Sequence, residues 1–202
     1  MKLRILTPLA IIAIILSGCF VFSFYPLYTE EDLFPNDLLL GEFYDSDSAL
    51  WHFEHKIIGK EEDHKVDSTC YILTIKEEDK EEVKASFQVK IIKLSDNYFL
   101  DFYLEEYEYS HGDDPNLFDL HLIPVHTFAR VSIDQDSIQI RWFDPQWLEG
   151  LIKENKIRIH HENNGEHILL TAKPKELQKF VIKYVNSEEA FKGGLDEELI
   201  RS

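Results

Sequence analysis

Between residues 49 and 172 apolar and polar positions alternate, for most of the way, with a period of two. In "VKASFQVKII", 83–92, Val83, Ala85, Phe87, Val89 and Ile91 fall on one face and Lys84, Ser86, Gln88 and Lys90 on the other. That pattern predicts a strand with one buried and one wet side. "ALWHFEHK", 49–56, sets Trp51 and Phe53 against His52, Glu54 and Lys56. "STCYILTIK", 68–76, and the runs at 98–105, 118–123, 127–133, 137–143, 156–162 and 166–172 read as strands too. Charge or turn-forming residues separate them: "EEDKEE" at 77–82, Asp96-Asn97, "DQDS" at 134–137 and Asn164-Gly165. Asn-Gly suits the positive φ angles of a two-residue type I′ loop, which would set Glu162 opposite His167.

The period lengthens in two places. Asp144 is an N-cap with Pro145 at the first helical position, and Trp147, Leu148, Leu151 and Ile152 follow as an apolar stripe. Pro174 opens a second helix with Leu177, Phe180, Val181 and Tyr184 on one face. Near the start, Thr29 and Asp32 form a capping arrangement for a short turn that Pro35 stops. Many short strands joined by tight turns predict a mainly β fold, an antiparallel meander closing into a barrel or sandwich, with two short helices packed against the sheet.

The first residues follow another logic. Lys2 and Arg4 precede an aliphatic run over 5–16, the length of a signal-peptide core and short of a membrane span of roughly 20 residues. Leu16-Ser17-Gly18-Cys19 then resembles the lipobox of bacterial lipoproteins: an aliphatic residue, two small ones, and the cysteine that becomes lipidated and N-terminal. The resemblance implies a signal peptide at 1–18, a lipidated tether at 19–28 and a single β-rich domain at 29–202. It also implies contact with the membrane through lipid on Cys19, in the bacterial cell envelope. Phe20 stands where an inner-membrane retention aspartate would, as in lipoproteins destined for the outer membrane.

"FYPLYTEEDL", "ALWHFE", "YFLDFYLEE", "LHLIPVHTFARV", "WFDPQWLEGLI" and "LTAKPKELQKFV" resemble, in this order, a family of bacterial envelope lipoproteins with no assigned activity. The likeness covers about residues 25–191 and implies a lipocalin-like antiparallel β-barrel with helices outside. Gly41-Glu42-Phe43 is similar to the glycine-x-tryptophan opening of lipocalins, with phenylalanine in the tryptophan position.

The net charge of −17 repels nucleic-acid phosphate and anionic headgroups, so neither is expected as a direct partner. Of the two cysteines, lipidation of Cys19 leaves Cys70 alone, which reads as a small buried hydrophobe. Nine histidines raise the question of a metal. "HHENNGEH", 160–167, lacks the helical H-E-x-x-H spacing, and His52 and His55 face opposite sides of a strand. His111, Asp113, Asp114 and Asn116 read as a solvated turn rather than a calcium loop. Glu105, Glu106 and Glu108 read as solvated, and His126 as a core or rim histidine bonded to backbone.

No nucleophile elbow, phosphate-cradling loop or dinucleotide fingerprint is present, so the expectation is a monomeric, non-catalytic protein without metal or cofactor. Two roles fit. The first is an interaction or structural module that presents its acidic surface to another envelope protein. The alternative is a binding protein for a small hydrophobic molecule or lipid, with Trp51, Phe53, Phe87 and Trp142 lining the barrel interior. An apolar cavity of about 300 Å3 or more favours the second role.

Overall fold

The computed structural model describes residues 20–59, 63–76, 85–107, 123–165 and 167–202. Residues 1–18, Cys19, the "EEDKEE" turn, the group from His111 to Asn116 and all but Ile123 of the strand expected at 118–123 lie outside them.

Eight strands make the barrel. The first five are β2 (Gly41–Tyr44), β3 (Leu50–Ile58), β4 (Lys65–Lys76), β5 (Ala85–Leu94) and β6 (Asn97–Tyr107). β7 (His126–Ile133), β8 (Ser137–Trp142) and β11 (Asp196–Arg201) complete it. Each pairs antiparallel with the next, and β11 lies between β8 and β2 to close the ring. Closure removes the unpaired edges that an open sheet would present. The fold is the expected lipocalin-like barrel with two helices, α1 (Pro145–Lys153) and α2 (Pro174–Tyr184), outside it. The Asp144 carboxylate caps α1 by accepting from the Gln146 and Trp147 N–H groups at 2.8 and 3.2 Å.

Alternation sorts the side chains into two cores. Inside the barrel lie Phe43, Trp51, Phe53, Leu73, Val89, Leu100, Phe102, Val131, Ile140 and Trp142. A second core fills the space between barrel wall and helices, with Ile92, Phe99 and Phe128 from the strands facing Leu148, Leu177, Phe180 and Val181. β5, β6 and β7 are therefore covered on both faces. At one end the 3-10 turn Asp37–Leu39 inserts fully buried Leu39 into the barrel. Arg201 closes the same end: its guanidinium stacks 4.4 Å from the Phe43 ring centroid and donates to the Leu38 and Leu40 carbonyls. A Cβ on Gly41, whose φ is +116°, would meet that guanidinium at 3.0 Å.

Two expectations need correction. Residues 20–28 are not a free tether. Phe22–Ser23 is a strand, β1, paired antiparallel with Thr127 and His126 and parallel with Leu169 and Leu170, while Val21 and Leu27 are buried. The apolar side chains of this stretch have a surface to cover, which outweighs the freedom of a linker. The runs at 156–162 and 166–172 shorten to β9 (His161–Asn163) and β10 (Ile168–Leu170), a hairpin joined to β1 outside the barrel. Glu162 there faces Leu169, not His167. The Asn163 and Asn164 side chains accept from the Gly165 and His167 N–H groups at 2.7 and 2.8 Å, and this starts the turn one residue later than Asn-Gly alone implies.

Candidate functional site

The end of the barrel away from Arg201 holds a cavity of about 440 Å3. β3, β4, β5, β6 and β8 supply Trp51, Leu73, Ile75, Phe87, Phe102, Leu104 and Trp142 to its wall. Val125, Thr127 and Leu195 complete the wall with Ile123 and Pro124, and Phe20 and Phe22 come from the N-terminal segment. Phe20 stands edge-on to the Trp142 indole at 5.7 Å between ring centroids, and Phe102 stacks on that indole at 5.5 Å.

Polar atoms are few in this wall. The Trp51 indole N–H donates to the Asp45 carboxylate at 2.9 Å. The Trp142 indole N–H, on a residue only 4% exposed, has no hydrogen-bond partner among the described residues. That nitrogen has no accessible surface toward the cavity, so the wall offers a ligand almost purely apolar contact.

Of the four residues expected at a cavity, Trp51, Phe87 and Trp142 lie in its wall. Phe53 also faces the barrel interior but sits one layer deeper than the cavity wall, 1% exposed, edge-on to Phe43 at 6.0 Å. Sequence reasoning missed Phe20 and Phe22. The signal was present, since two aromatic side chains at alternate positions beside Cys19 have more apolar surface than a solvated linker needs.

A second, polar hollow of about 390 Å3 lies on the outer wall, bounded by Tyr28, Gln88, Lys90, Asp101, Tyr103 and His126. It shares Ile123 and Pro124 with the apolar cavity. Asp101 is 2% exposed. One carboxylate oxygen lies 2.6 Å from His126 Nδ1, and the other accepts from the Leu27 N–H at 2.8 Å. His126 thus bonds to a buried carboxylate rather than to backbone. Burial pushes the Asp101 carboxyl above the ordinary carboxylate range, with the His126 hydrogen bond and charge and the Leu27 N–H acting against it. Burial, then the charge of Asp101, raises the Tyr28 hydroxyl well above its usual pKa. Gln178 of α2 donates to the Leu27 carbonyl at 3.0 Å and to Asp32 at 2.7 Å. The network fastens the 24–32 segment to the barrel wall from two sides.

The other histidines disperse. His160 Nδ1 lies 2.8 Å from Glu176, His161 Nδ1 is 2.8 Å from the Ile159 carbonyl, His52 is beside Glu42, and His55 stacks on Tyr71. Among the described residues no three histidine, cysteine or carboxylate side chains gather as a metal site. Cys70 is 1% exposed, and burial raises its thiol pKa, so it is inert as a nucleophile. Among the described residues no helix is long and apolar enough to cross a membrane. Comparison with protein-family models, curated proteins and solved structures gives no match.

Proposed function

We propose that this chain is a lipid-anchored protein of the bacterial cell envelope that holds a small hydrophobic molecule, such as a single-chain lipid, inside its barrel. The apolar cavity of about 440 Å3 carries the reading. Ligand cavities of this size, apolar with a few placed polar groups, are the common form of small-molecule sites. The same observation weighs against the interaction-module role, for which a filled interior would serve equally well. The anchor rests on "LSGC" at 16–19, and Phe20 after the cysteine supports an outer-membrane address.

The test is titration of the unlipidated Cys19→Ser protein with N-phenyl-1-naphthylamine, a neutral apolar dye that fluoresces on leaving water. Saturable binding in the micromolar range is expected, with displacement by palmitic acid. Leu104→Trp, which puts an indole into the cavity from a half-buried position, should abolish it while leaving the thermal transition cooperative. Failure of the wild-type barrel to bind dye or palmitate returns the protein to the interaction-module role.

A further inference from the structure

We infer that the occupant of the barrel is one of the acyl chains attached to the protein's own Cys19. The inference rests on the lipid anchor and the ligand cavity proposed above, and adds where the anchor goes. The described chain begins at Phe20, and Phe20 and Phe22 are themselves part of the cavity wall. Phe20 is fixed against Trp142, and β1 is held through Phe22 and Ser23 by β7 and β10. Consecutive Cα atoms lie about 3.8 Å apart, so the Cys19 sulfur is attached within one residue of the cavity. No flexible spacer intervenes to carry the lipid away.

Size agrees with a single chain. A methylene group takes up about the volume of a liquid water molecule, roughly 30 Å3, so 440 Å3 accommodates an acyl chain of about fifteen carbons. It does not accommodate all the chains of a fully acylated cysteine. Attachment next to the site gives an effective concentration on the order of millimolar, far above that of a free competitor of micromolar affinity. The barrel and the bilayer then compete for the same chain: seated inside, it is shielded from water while the protein is off the membrane. Once it is released, the open end of the barrel is left at the lipid surface.

The experiment uses the full protein in its own envelope. Cells grown on a palmitate analogue carrying a diazirine on the chain incorporate it at Cys19; membranes and soluble fractions are irradiated, and cross-links are mapped by peptide mass spectrometry. The expected result is intramolecular cross-links from the Cys19 lipid to the cavity wall, at Leu104, Phe87 or Trp142. They should fall at least tenfold in Leu104→Trp, with label on Cys19 unchanged. Label on Cys19 with cross-links only to phospholipid or other proteins overturns this inference and leaves the anchor standing. Absence of label from Cys19 overturns both. Dye binding by Cys19→Ser remains the separate measure of the cavity.

Discussion

The Asp101 carboxylate accepts from donors on two parts of the chain, the His126 ring on the neighbouring strand and the Leu27 N–H of the N-terminal segment. The Leu27 contact is buried, whereas the His126 contact borders the polar hollow, so the Leu27 N–H is the donor left without a substitute partner once the carboxylate is gone. Asp101→Ala should lose about 1–3 kcal/mol of folding free energy, the cost of one buried group left unsatisfied. Asp101→Asn, which keeps one acceptor oxygen, should lose less. Urea denaturation followed by tryptophan fluorescence measures both; an alanine variant as stable as wild type would remove Asp101 from any fastening role. From the sequence, His126 stands out beside Pro124, but its partner lies 25 residues earlier and does not. The register that sets Tyr103 opposite His126 brings Asp101 onto the same face, and register is a tertiary fact. One signal was nonetheless readable. In "YFLDFYLEE" both faces of the strand are apolar, so a strand covered on both sides has Asp101 in a dry stripe, where a charge requires a partner.

At the scale of elements, turn chemistry was legible and turn register was not. Asn164-Gly165 marks a hairpin, and Gly165 has a φ of +91° with open space where a Cβ would go. Strain from a side chain there is therefore backbone strain alone. Gly165→Val should lower stability by about 1–3 kcal/mol, seen as a lower melting temperature. Because β9 and β10 lie outside the barrel, dye binding by the cavity should survive the substitution. Loss of dye binding with an unchanged melting temperature would place the hairpin at the site rather than on its flank. β11 was missed for a different reason. In "LDEELIR", 195–201, acidic residues interrupt any stripe, and Leu199 is the residue of β11 fully buried in the barrel interior. Its place comes from hydrogen-bonding to strands on both sides, which no local pattern encodes. The helices were legible because a proline at the first helical position and an apolar stripe agree at both, with the Asp144 cap added at α1.

For the whole molecule, a barrel and its outer helical layer follow from the alternating runs and the two helical stripes, whereas the seating of the N-terminal aromatics depends on a cavity that only closure creates. The charge of −17 also acts at this scale. Self-repulsion opposes compactness near neutrality and is relieved by protonation or by salt. Burial, then the charges of Asp45, Asp47 and Asp196, raises the Glu197 pKa. Its favourable contribution is therefore present at low pH and is lost as pH rises through the folded-state value. Asp32 has the opposite sign. Burial works to raise it, but hydrogen bonds from Thr29 and Gln178 and the charge of Lys175 outweigh burial and hold it below the ordinary range. Asp67 and Glu176 are lowered in the same way, by Thr69 with Lys90 and Lys56, and by His160 with Lys179, against the effect of burial. These three stabilise above the ordinary carboxylate pKa, and the contribution disappears as pH falls through their folded values. The melting temperature of the Cys19→Ser protein should therefore pass through a maximum on the mildly acidic side of neutrality and drop below about pH 4. At pH 7 it should rise on going from low salt to about 0.5 M sodium chloride, where the Debye length is short. Asp32→Asn should flatten the acid limb without moving the neutral one upward. A melting temperature that falls with salt at pH 7 would mean that ion pairs such as Lys56–Glu105, at 2.6 Å, and Arg141 with Glu188 and Asp196 outweigh the net repulsion.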